Sequence, residues 1–159
     1  LIFVFFLCSC SNFDFVYQDN QMQNELTVKE VLVSGSNADS IKKLLSNKFL
    51  SNIESKNYKL SVNSKMETRS VVIANDQTAS TIEIKFILDY TLFDYKKNCD
   101  VVKERISSLS TYNSRAESYN FGSDLSKEQV SEQVIQDNIN KFIYQINAKK
   151  DELRCVDES

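Results

Sequence analysis

The most regular stretch of the chain alternates apolar and polar residues with a period of two. Ile82, Ile84, Phe86, Leu88, Tyr90 and Leu92 fall on one side, and Glu83, Lys85, Asp89 and Thr91 on the other, where Ile87 and Phe93 interrupt the polar row. Successive side chains of a strand point to opposite faces, so this stretch predicts a strand with one buried face. Tyr58, Leu60 and Val62 alternate with Lys59, Ser61 and Asn63 and predict a strand before it, continuing through Met66 toward Ile73. Between the two, Asn75-Asp76-Gln77 is expected to turn a hairpin, although the favoured Asn-Gly pair is missing. Lys96-Lys97-Asn98 predicts the next turn, and Cys99 to Thr111 a further strand with a weaker pattern. Upstream, Leu26 to Ser34 (LTVKEVLVS) is rich in Val and Leu and is expected to form the first strand, ended by Gly35.

Two other stretches follow the helical period. After Ser36-Asn37-Ala38-Asp39, a capping-box-like start with a carboxylate in the first turn, apolar residues fall at Ile41, Leu44, Leu45, Phe49, Leu50 and Ile53. Lys42, Lys43, Ser46, Asn47 and Glu54 lie mainly on the other side, which predicts an amphipathic helix to about Ser55. Ser114 to Gly122 reads as loop, and Ser126 to Gln129 as a capping box. Val130, Val134, Ile135, Ile139, Phe142, Ile143 and Ile146 then form the stripe of a second helix, running to about Lys150. The order is βαβββα. It predicts an α+β two-layer sandwich, a four-stranded mainly antiparallel sheet covered on one face by two helices. The folded domain is expected over residues 26–150, with a flexible polar tail over 151–159.

At 159 residues the chain suits one domain able to bury a real core. Its composition, 42% apolar and 26% charged, is that of an ordinary globular protein. A net charge of −3 supplies no global basic field, which argues against a nucleic-acid partner. With no His and only 2 Gly, the commonest general base, the commonest neutral metal ligand and a phosphate-cradling Gly loop are all missing. Glu83 and Asp89 are the one carboxylate pair worth weighing for acid/base work, and both fall on the polar side of a strand, where charge is ordinary. No catalytic residue, metal site or cofactor is expected, and the chain does not read as an enzyme.

The N-terminus carries its own chemistry. Leu1 to Leu7 (LIFVFFL) is wholly apolar, and seven residues fall well short of the roughly 20 a membrane-spanning helix needs. With no initiator Met, the segment reads as the end of a signal-peptide h-region whose basic start lies upstream. It leads into Leu7-Cys8-Ser9-Cys10, which resembles a bacterial lipobox: an aliphatic residue, smaller residues, then a Cys whose thiol takes diacylglycerol. Cys10 is the better acceptor, because Ser9 precedes it whereas bulky Leu7 precedes Cys8. Residues 1–9 are then a signal remnant and residues 10–25 a lipidated tether that includes Phe13, Phe15 and Tyr17. Several acyl chains on one thiol, at about 0.8 kcal/mol per buried CH₂, hold a domain stably on a membrane. A plain secretory signal or a truncated membrane span are the competing readings. Of the 4 cysteines, Cys99 and Cys155 remain. In an oxidising compartment they either pair or stay as two separate thiols, and the sequence leaves both open.

This order of elements behind a lipobox resembles the LPS-assembly lipoprotein family LptE, from Cys10 to about Ala148. Ser11-Asn12-Phe13-Asp14-Phe15-Val16-Tyr17 is similar to the short segment after the lipidated Cys in alphaproteobacterial members, where Phe13 and Tyr17 fit and the Gly and Pro are absent. Tyr58-Lys59-Leu60-Ser61-Val62 follows the first helix, Asp89-Tyr90-Thr91-Leu92 with Asp94 resembles the family's tyrosine-containing third strand, and Tyr112-Asn113 precedes the last helix. The resemblance implies an outer-membrane lipoprotein on the periplasmic face. It would plug the β-barrel LptD, assist its assembly, and contact lipopolysaccharide on the way to the cell surface. Lipopolysaccharide phosphates call for cations. The turn at Ala74-Asn75-Asp76 has none, so Lys96, Lys97 and Arg115 are the candidates, although a lysine pair in a turn is also ordinary solvated surface. The alternative is another envelope lipoprotein, an adaptor or a small-ligand carrier. For a carrier, Phe13, Phe15, Tyr17, Phe86, Tyr90 and Phe142 would line a lipid groove rather than serve as core and tether.

Overall fold

The computed structural model describes Leu26 and residues 28–50, 57–73, 79–115 and 121–156. Its elements are β1 (Val28–Gly35), α1 (Ala38–Phe49), β2 (Tyr58–Ile73), β3 (Ala79–Asp94), β4 (Cys99–Arg115) and α2 (Phe121–Lys149), followed by a 3-10 turn at Lys150–Glu152. The strands form one open sheet in the order β1-β2-β3-β4. β1 runs parallel to β2, with α1 as the crossover that a parallel pair requires. β2–β3 and β3–β4 are antiparallel. The architecture is therefore the predicted α+β sandwich in the order βαβββα.

Alternation along β3 sets the inner face. Ile84, Phe86, Leu88, Tyr90 and Leu92 are fully buried, joined by Leu60 and Val62 of β2 and Val102 and Ile106 of β4. α1 packs on β1 with Ile41, Leu45 and Phe49, and α2 packs on β3 and β4 with Val134, Ile135, Ile139, Phe142, Ile143 and Ile146. Burying each of these large side chains contributes about 1.5–3 kcal/mol before chain entropy is counted. Aromatic rings join the layers. Phe142 stacks on Tyr90 with centroids 4.0 Å apart and lies 6.1 Å from Phe49. The helices stop short of the far end of the sheet. From Glu67 to Val71 every residue of β2 is exposed, so the β2–β3 hairpin extends beyond the helical layer.

Several boundaries differ from expectation. α1 opens without a side-chain cap: Asn37 sits in the left-handed region, and its carbonyl accepts the first helical bond from Ile41. The helix ends at Phe49 rather than Ser55, and Leu50 is extended and exposed. Ile53 and the predicted turn at Asn75–Gln77 lie outside the described residues, as do Cys10 and the whole tether. α2 begins at Phe121, so Ser126 lies inside it and is not its cap. Gly122 costs a helix only about 1 kcal/mol, so a loop-like composition did not prevent helix formation.

The tail expected to be flexible from Asp151 is tied down as far as Val156. Leu153 packs against the core, its carbonyl accepts a bond from Lys97 Nζ at 2.5 Å, and Val156 N–H donates to the Asp100 carbonyl at 2.8 Å. Cys155 is joined to Cys99 by a disulfide with Cα atoms 5.7 Å apart. A polar composition suggests a solvated segment, but covalent closure and two backbone anchors decide this one.

Candidate functional site

Among the described residues the sheet has helices on one face only, which leaves its other face open. Period two delivers its residues. Lys65, Glu67 and Arg69 of β2 lie beside Ile87, Lys85 and Glu83 of β3, which lie beside Ser107, Leu109 and Thr111 of β4. Arg69 forms a two-point pair with Glu83, Nε donating to Oε1 at 2.8 Å and Nη2 to Oε2 at 3.2 Å. Arg105 pairs with Asp89 in the same manner, at 2.5 and 3.1 Å. Each carboxylate holds its arginine's pKa above the ordinary value, chiefly through the hydrogen bond and then through charge. The Lys65–Glu67 contact at 2.8 Å likewise holds the Glu67 carboxyl below its usual range. These groups are solvent-exposed, so they organise the surface more than they stabilise it. Among the charges sit exposed apolar side chains: Leu109 is 58% exposed and Leu32 is 48% exposed. Glu67, Thr68, Arg69, Glu83, Lys85 and Leu109 border a shallow depression of about 300 Å³.

Glu83 and Asp89, weighed as a carboxylate pair, are not brought together. They are six residues apart on one strand, roughly 20 Å, and each is bound to its own arginine. Among the described residues, no group of three or more His, Cys, Asp or Glu is placed to hold a metal. The aromatics weighed as a lipid groove divide. Phe86, Tyr90 and Phe142 are buried in the core, whereas Phe13, Phe15 and Tyr17 lie outside the described residues. The small apolar depression at Val102, Phe142 and Ile146 amounts to about 10 Å³. That is about one water's worth of space and far too little for an acyl chain.

The three candidate cations do not form one site. Lys96 and Lys97 are exposed in the β3–β4 turn. Arg115 ends β4 and pairs with Ala79, at the opposite end of a 17-residue strand roughly 55 Å long. Asp94 holds the turn. It is buried, its Oδ1 accepts from the backbone N–H of Lys96 at 2.8 Å and of Lys97 at 3.3 Å, and its carbonyl accepts from Asn98. Asn98 takes the left-handed conformation that closes the turn. Sequence reasoning passed over Arg69 and Arg105. Their types and period were visible, but their partners depend on register, which no single strand reveals.

No family model and no curated protein sequence matches the chain. Solved structures do share its fold. A presumptive lipoprotein from Caulobacter crescentus is 15% identical, with a TM-score of 0.59, over 86% of this chain and 96% of that one. An uncharacterised lipoprotein B from Nitrosomonas europaea is 13% identical, with a TM-score of 0.53, over 82% and 89%. A minor lipoprotein from Acinetobacter baumannii is 13% identical, with a TM-score of 0.52, over 77% and 94%. At such identities the likeness establishes the fold and does not transfer residue roles.

Proposed function

We propose that this chain is a lipid-anchored envelope lipoprotein that serves as the plug and assembly partner of an outer-membrane β-barrel of the LptD kind, in the transport of lipopolysaccharide to the cell surface. The observation that carries this reading is a conjunction. A lipobox-like Leu7-Cys8-Ser9-Cys10 precedes a sandwich fold that recurs in three structures described as lipoproteins. Acyl chains on Cys10 would confine the domain to a membrane surface. The open sheet face, with paired charges around exposed Leu32 and Leu109, suits contact with the polar interior of a barrel. The periplasm, where such a protein resides, also sustains a disulfide such as Cys99–Cys155.

A ligand carrier is less well supported, because the core aromatics Tyr90 and Phe142 stack on one another and the apolar depression beside Phe142 holds only about 10 Å³. Affinity purification of the tagged chain from detergent-solubilised envelopes tests the partnership. A barrel protein in equimolar yield is the expected result; repeated recovery of the chain alone would refute it. Mass spectrometry of the mature protein tests the anchor, which predicts acyl mass on Cys10 and its loss in Cys10→Ser.

A further inference from the structure

Packing all but ends where α2 does. The helix is held by buried Ile143 and Ile146 and, in its last turn, by an ion pair from Lys149 Nζ to Glu104 at 2.9 Å. In the seven residues that follow, 150–156, only Leu153 is half-buried; Lys150, Asp151, Glu152, Arg154, Cys155 and Val156 are exposed. The segment is tied to the start of β4 and to the turn before it. Lys97 Nζ donates to the Leu153 carbonyl, Val156 N–H donates to the Asp100 carbonyl, and Cys155 is joined to Cys99. A segment that buries so little apolar surface opens locally at low cost once its covalent tie is cut, while the core stays closed.

The place it crosses is a vulnerable one. β4 is the last strand of the sheet and pairs with β3 alone. The Val156 amide bonds the Asp100 carbonyl of this edge strand, and cover of that kind is one way an edge is kept from pairing with another chain. A depression of about 320 Å³ is bordered by Val101 and Val102 of β4 and by Leu153 and Val156 of the segment. The two β4 valines are buried. The segment is therefore a strap across the start of β4, hinged after Lys149 and locked at Cys155. The lock has one accessible end. Cys155 is exposed, whereas Cys99 is half-buried and packed against the core.

We propose that residues 150–156 are a redox-released strap, opened by a protein dithiol that attacks the disulfide at Cys155. Access selects the sulfur. The partner's thiolate bonds to Cys155 Sγ, the Cys99–Cys155 bond breaks, and Cys99 leaves with the electron pair as a thiolate that takes up a proton. The partner's second thiol, as thiolate, then displaces Cys155, which also takes up a proton, and the partner ends as a disulfide. Two electrons and two protons pass from the partner to this chain. Release bares the edge at Asp100 and exposes Val101 and Val102. The core stays in place, because the hinge lies beyond Ile146, the last buried residue of α2. The strap depends neither on acylation of Cys10 nor on a barrel partner.

The test uses the full chain carrying Cys8→Ser and Cys10→Ser, which leaves Cys99 and Cys155 as its only cysteines. The probes are reduced thioredoxin, a protein dithiol, and a thioredoxin whose second active-site cysteine is replaced by serine, which halts at the mixed disulfide. Mapped by mass spectrometry, that bond is expected on Cys155 over Cys99 by about tenfold or more. Trypsin cleavage after Arg154, inside the strap, should be about tenfold faster or more in the chain reduced by thioredoxin than in the oxidised chain, with hydrogen exchange in β3 unchanged. Cys155→Ser should show the fast cleavage without any reductant. A mixed disulfide mainly on Cys99, no reaction with thioredoxin, or equal cleavage in both redox states would overturn the strap. So would loss of β3 protection on reduction, which would make the disulfide a staple of the whole fold.

Discussion

Tyr90 and Asn138 tie α2 to the middle of the sheet through buried polar atoms. The Tyr90 hydroxyl donates to Asn138 Oδ1 at 3.0 Å, and Asn138 Nδ2 donates to the Ile106 carbonyl at 3.0 Å. Both side chains are essentially sealed from water, so neither partner can be removed without stranding the other. Tyr90→Phe should lower unfolding free energy by about 1 kcal/mol. Asn138→Leu, which strands a hydroxyl and a carbonyl together, should cost about 3 kcal/mol, both read as a fall in urea midpoint at unchanged slope. Burial also pushes the Tyr90 phenol far above its ordinary value of 10.0. The folded state then holds that proton more tightly than the unfolded chain does. This contribution is fully present below pH 10 and is lost as pH rises beyond it. Stability between pH 10 and 11 should fall less steeply in Tyr90→Phe than in the parent, measured by urea unfolding; equal slopes would rule the phenol out. Gly35 is a second constrained position. Its φ is +93°, and a Cβ there would lie 2.0 Å from the Ser64 carbonyl oxygen, so Gly35→Ala should cost about 3 kcal/mol.

Elements were legible where one local pattern decided them. β3 shows its period over six apolar positions, and five of these are fully buried; Ile82, toward the uncovered hairpin, is only half-buried. Helix ends were less legible, because Ser126 and Gln129 have the right types for a cap while the chain is already helical by Phe121. Strand partners were not legible at all, since Arg69 meets Glu83 only once the β2–β3 register is fixed. The disulfide is an element-scale constraint of the same kind. Cys99 and Cys155 are 56 residues apart, and the C-terminal segment closes back on β4 through them. Chain entropy for such a loop corresponds to about 4 kcal/mol, so Cys155→Ser should lose roughly 2–4 kcal/mol of stability. Hydrogen exchange should locate the loosening: the Val156 amide, now bonded to Asp100, should exchange far faster while the β3 core stays protected. An unchanged Val156 rate would mean that the backbone bonds alone hold the tail.

For the whole molecule, the decisive asymmetry is between a covered and an uncovered sheet face. Exposed apolar side chains on a helix surface need no explanation, and Tyr144 on α2, 64% exposed, is an example. Leu109 is different in context. It projects from the open face directly beside Lys85, in the surface proposed for the barrel partner. Its exposure means that it contributes little to folding, so Leu109→Asp should leave the unfolding midpoint within about 0.5 kcal/mol of the parent. If the open face meets the barrel, the same change places a carboxylate in the contact and desolvates it without a partner, which costs several kcal/mol. Recovery of the barrel with tagged Leu109→Asp should then fall at least tenfold, while Tyr144→Ser, on the helix side, should recover it in full. Equal loss in both variants would point to a partner wrapped around the molecule. Loss in Tyr144→Ser alone would move the contact to the helical layer and leave the open sheet face without a role.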